Sequence, residues 1–93
     1  MIRHLVLFKT KENAPLEEFK KRIEDLKNHI PEIKHIEVGI DIRFDQNPSD
    51  FSVFTEVENI ADLEIYAKHP KHLEVIEFLK PYITERRVVD YKV

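Results

Sequence analysis

The densest group of side chains able to move a proton lies in one short run, Tyr66-Ala67-Lys68-His69-Pro70-Lys71-His72. An imidazole that titrates near neutral pH can take a proton from the carbon beside a carbonyl, and a phenol can donate a hydrogen bond to the resulting enolate oxygen. Tyr66 and His69 are three residues apart and share one side of a helix. His72 follows the break that Pro70 imposes, so it is free to turn back toward them. The same residue types also suit a plainer task, because a Tyr or a His beside a helix break can cap exposed backbone groups. Spacing leaves both uses open for Tyr66 and His72, and His69 is the more natural cap. His4, in the N-terminal strand, is either a further imidazole for such a site or a satisfied interior histidine. Metal binding fits less well: His69 and His72 straddle a proline, no cysteine is present, and His29 and His35 belong to other elements. The expectation is therefore no zinc, iron or other cofactor.

These groups need a scaffold, and the hydrophobic pattern supplies one. Residues 2 to 9 alternate Ile2, His4, Val6 and Phe8 against Leu5 and Leu7, a strand apolar on both faces and so covered on both. Leu16, Phe19, Ile23, Leu26 and Ile30 follow at helical spacing, with Pro15 and two glutamates at the start and Pro31 at the end. Residues 34 to 42 alternate again, with Gly39 marking a bulge or a close approach; 44 to 49 read as a turn and 50 to 57 as the next strand. Asn59 and Asp62 offer an N-cap for a helix carrying Leu63, Tyr66 and Ala67, which Pro70 divides from a second piece with Leu73, Ile76, Leu79 and Ile83. Residues 84 to 92 form the last strand.

The order is β-α-β-β-α-β, a ferredoxin-like α+β fold with both helices on one face of a four-stranded antiparallel sheet. The other face is left bare. Ile2, Val6 and Phe8 are expected on it, and a homodimer whose two sheets meet as a barrel would bury them. One domain spanning residues 1–93 suffices, and a chain this short gains from association. With 15 Lys and Arg against 18 Asp and Glu there is no basic excess to neutralise phosphates, which argues against a nucleic-acid partner. The absence of cysteine suits a reducing compartment, and Met1-Ile2-Arg3-His4 runs straight into a strand without a leader pattern. A cytoplasmic protein without membrane attachment is expected.

Taken together, the start His4-Leu5-Val6-Leu7, the Tyr66 to His72 run and the ending Arg86-Arg87-Val88-Val89-Asp90-Tyr91 resemble the stress-responsive α/β-barrel (Dabb) family over essentially the whole chain. The resemblance implies a dimeric α+β barrel with a cleft between sheet and helices in each subunit, holding a small, mostly apolar carbonyl compound. A plant branch of the olivetolic acid cyclase type closes a linear polyketide by aldol condensation with a Tyr and a His from this run. By that match Tyr66 and His72 are catalytic and His4 lines the pocket; the acid–base chemistry makes His72 the base and puts Tyr66 on the oxyanion, and His4, Val6, Phe8, Phe51 and His69 are expected to contribute to ligand binding. Phe51 stands where the plant cyclases carry another histidine, which makes the cleft drier here. Some members hold magnesium on backbone carbonyls after the first helix, here those of Lys27, Ile30 and Ile33, and such ligands leave no side-chain signature. Two other functions stay open beside this one, a non-enzymatic stress or scaffold protein and a cofactor-free monooxygenase or isomerase.

Overall fold

The computed structural model describes residues 1–93. Strand β1 (Ile2–Thr10) leads to helix α1 (Leu16–Glu24), whose apolar stripe continues through a 3-10 turn at Asp25–Asn28 before Pro31 ends it. The hairpin of β2 (His35–Ile40) and β3 (Phe51–Val57) follows, then helices α2 (Ile60–Lys68) and α3 (Pro70–Leu79), and finally β4 (Ile83–Lys92). The sheet order is β2-β3-β1-β4 with every neighbouring pair antiparallel, and the helices cover one face. This is the ferredoxin-like arrangement. Asn59 caps α2 by accepting from the Asp62 N–H at 2.8 Å, and Pro70 sits at the start of α3, where its missing N–H costs nothing.

Cross-strand register settles which side of β1 meets the helices. Val6 pairs with Val53, and Val53 pairs with Val38 of β2, whose other face carries only His35, Glu37 and Gly39. Val6 therefore points to the helices with Ile36 and Val38. Ile2 and Val6 are buried on this inner face, and Phe8 is partly buried there, stacked on Phe51. The expectation that Ile2, Val6 and Phe8 lie on the bare face is corrected: Leu5, Leu7, Phe54, Val89 and Tyr91 occupy it. Alternation within β1 could not decide, because both of its faces are apolar.

The core concentrates where α1 meets the sheet. Phe19 is fully buried, with its ring 5.5 Å from Phe51, 5.6 Å from Phe78 and 5.7 Å from Tyr82. Offset and edge-on contacts of this kind add to what burial alone contributes. Gly39 lies in a regular ladder, and a side chain there would meet Ser52 Oγ at 3.1 Å, so close approach rather than a bulge explains it. The register irregularity falls instead between Lys9 and Thr10, in the β1–β4 pairing.

Candidate functional site

Between α3 and the inner face of the sheet lies a cavity of about 420 Å³, within the usual range for small-molecule pockets. His4, Val6 and Phe8 of β1, Tyr66 of α2, His72 of α3 and Arg86 of β4 all line it. Helix α1 and β3 close its floor with Ile23 and Val53, while Ile76, Leu79 and Ile83 make the wall toward β4. The wall is mainly apolar, with Tyr66, two imidazoles and two cations as its polar groups.

Tyr66 and the two imidazoles are anchored from behind. Tyr66 is buried, and its oxygen accepts a hydrogen bond from the Thr55 hydroxyl at 3.3 Å, which leaves the phenolic hydrogen free to donate. Burial pushes this phenol up from its ordinary pKa of 10.0, outweighing the Thr55 bond and the nearby Arg86, so it is a neutral donor at physiological pH. The His72 ring lies 4.5 Å from the Tyr66 ring, centroid to centroid. Its Nδ1 meets the Ala67 carbonyl at 2.9 Å, and a carbonyl can only accept, so the hydrogen is on Nδ1 and the lone pair on Nε2. Burial lowers the His72 pKa from 6.5; the Ala67 carbonyl opposes this, and His4, Arg86 and His69 add to it. A neutral ring with a free Nε2 results.

The second imidazole, His4, has its Nδ1 on the Asp90 carboxylate and its ring 6.1 Å from Tyr66, edge to face. Register explains the meeting: His4 is opposite Asp90 on one side and Thr55 on the other, so a single polar rung crosses the apolar inner face. Tyr66 descends from α2 onto that rung. The sequence carried a signal for Thr55, the one polar residue among Phe51, Val53 and Val57 on its face of β3. Asp90 was discernible only through pairing, and neither Arg86 nor Lys80 was anticipated on the cavity wall.

Two expected ligand-binding residues lie elsewhere. Phe51 is buried behind Phe8, 4.7 Å from it ring to ring, so the Phe8 side chain separates it from the cavity. His69 joins the two helices, accepting the Lys71 N–H on its Nδ1 at 3.1 Å while its own N–H bonds the Tyr66 carbonyl at 3.3 Å. It is a cap. His72 combines both roles, since the Ala67 carbonyl it holds is one of the acceptors that the end of α2 leaves open. Around the turn from Lys27 to Ile33, the Lys27 ammonium bonds the Lys34 carbonyl at 3.3 Å and the Ile30 carbonyl accepts the Ile33 N–H at 3.2 Å.

Sheet, helices and cleft define a ferredoxin-like α+β domain with a lined pocket. The model of the stress responsive A/B barrel domain (Dabb) matches residues 2–93, and the chain belongs to that family. A dimeric protein of unknown function and ferredoxin-like fold from Bacteroides fragilis is 32% identical, with a TM-score of 0.87 and coverage of 99% of this chain and 95% of that one. A dimeric ferredoxin-like protein of unknown function from Thermobifida fusca is 25% identical, with a TM-score of 0.87 over 99% and 90% of the two chains. The hydroxynitrile lyase of Passiflora edulis shares the fold at 19% identity, with a TM-score of 0.84 over 99% and 92%. No curated protein sequence matches the chain. No helix is long and apolar enough to cross a membrane.

Proposed function

We propose that the cleft binds a small, mostly apolar carbonyl compound and moves a proton at the carbon beside the carbonyl. One observation carries this reading: Tyr66 and His72 each have one hydrogen-bonding end tied to the protein and the other end free at the cavity. His72 Nε2 takes the proton, the C–H electron pair moves into the enolate, and the Tyr66 O–H donates to the enolate oxygen. Return of that proton to a different atom or the opposite face completes an isomerisation; attack of the enolate carbon on a second carbonyl, with the new alkoxide taking the proton from His72, completes a cyclisation. Asp90 acts as a positioning residue, accepting from His4 Nδ1 and so fixing the orientation of that ring. Tyr66→Phe and His72→Ala are expected to leave the fold intact while reducing turnover or binding of a carbonyl panel about a hundredfold, the lower end of what general acid–base groups supply. A wild type that binds and converts nothing in the panel would favour the scaffold reading instead.

The bare sheet face calls for a partner, and we infer that it is a second copy of the chain. Leu7, Val89 and Tyr91 are 40%, 51% and 39% exposed there, beside the Leu5 and Phe54 pair. A stable two-fold contact would bury above roughly 1,000 Å² in total. Two relatives are described as dimeric, which supports this reading. Light scattering at micromolar concentration should give a dimer, and Phe54→Lys should split it. A monomeric wild type would refute the inference.

A further inference from the structure

We propose that Arg86, assisted by Lys80, makes this cleft selective for a carboxylate-bearing substrate, an apolar carbonyl compound whose acid group rests at the cavity rim. The inference rests on the reading of the cleft as a carbonyl site and adds its substrate class. The cavity is lined by 14 residues, of which 10 are hydrophobic, and its two formal charges, Arg86 and Lys80, are both positive. No carboxylate lines it. Both cations are exposed at the rim, and neither takes part in an ion pair or side-chain hydrogen bond within the chain. Their surroundings explain why. Arg86 is opposite Phe8 in the β1–β4 ladder, Glu85 faces the other side of the strand, and Asp90, on the Arg86 side, is held by His4. By contrast Arg3, Lys20 and Arg22 lie against Glu56, Glu24 and Glu18. The field of Arg86 reaches both reacting groups, opposing the burial that raises the Tyr66 pKa and adding to the burial that lowers that of His72, so the guanidinium and the chemistry share one site. A guanidinium presents two parallel N–H donors to a carboxylate, and beside an apolar wall such a pair is better shielded than on open surface.

Calorimetric titration with β-ketodecanoate and its methyl ester tests this, because the ester keeps chain and ketone and lacks the charge. Wild type should bind the acid about tenfold more tightly than the ester, as expected for one charge-assisted contact. Arg86→Leu should abolish that preference while leaving ester binding within about twofold, and Lys80→Met should reduce the preference in part. Lys21→Met, an exposed cation on α1 away from the cleft, should change neither. Melting curves of the variants should match wild type, since both rim side chains are exposed. Equal binding of acid and ester by wild type, or a preference that survives Arg86→Leu, overturns the inference and leaves the carbonyl site standing. If neither probe binds wild type, the reading of the cleft fails and the inference falls with it.

Discussion

The two edges of the sheet are finished in opposite ways. At the β2 edge, α1 lies close enough for Glu24 to accept the Val38 N–H at 3.0 Å and for Lys20 to donate to the Val38 carbonyl at 2.7 Å. Both outward backbone groups of an edge residue are thereby satisfied, and the inner face beside them is dry core. At the β4 edge no helix side chain reaches the strand backbone, nearly the whole strand is exposed, and the inner face beneath α3 opens into the cavity. One helix layer cannot cover four strands of this length. The site occupies the side where cover runs out, and its polar rung stands where the core would otherwise be completed.

Breaking the closed side should cost the most stability. Phe19→Ala empties the junction among Phe51, Phe78 and Tyr82 and is expected to cost about 3–5 kcal/mol, read as a lowered urea midpoint at unchanged slope. A loss below about 1 kcal/mol would mean that α1 does not close this half. The edge clamp matters less. Glu24→Ala should cost about 1 kcal/mol, since the partly exposed carboxylate leaves water able to replace it at Val38. Burial alone would raise the Glu24 pKa, but the Val38 N–H and Lys20 outweigh it and hold the carboxyl below its ordinary 4.5. A depressed folded-state pKa gives stability that is present above 4.5 and lost as pH falls through the lower folded value, so the variant should lose less on acidification than wild type. Identical acid unfolding curves would dissociate the clamp from the pH response.

Element order, the hairpin and the helix break were legible because periods of two and 3.6 alternate cleanly and Pro15, Pro31 and Pro70 punctuate them. The faces of β1 were not, since their assignment depends on pairing with β2 through β3 and no local pattern encodes a register. The meeting of Tyr66 and His72 followed from the Pro70 break, whereas the place of Phe51 behind Phe8 was not legible, because the matched motif locates a position along the chain and Phe8 decides what reaches the cavity. Asp90 and Arg86 escaped notice for a related reason. In an exposed edge strand a charged residue looks like ordinary solvent-facing polarity, and only the ladder to His4 and Phe8 turns it inward.

The finest difference between the two sides is in proton affinity, and His72 reports it. Its pKa lies below 6.5 first because burial penalises the imidazolium; the Ala67 carbonyl opposes that, and His4, Arg86 and His69 around the ring add repulsion. An NMR titration of the His72 ring should therefore place it below the ordinary value, and Arg86→Leu should move it upward without reaching 6.5, because burial is unchanged. The consequences have a fixed sign. In the window between the folded value and 6.5 the unfolded chain binds the proton first, so stability conferred by a neutral His72 is intact above 6.5 and falls as the solution is acidified through that window. If His72 is the base, the acid limb of kcat/KM follows the same folded value and shifts upward with it in the Arg86 variant, whereas a His72 that only caps Ala67 moves the stability curve and leaves the activity limb where it was. A ring that titrates at or above 6.5 in wild type would remove the basis for a neutral base at this position.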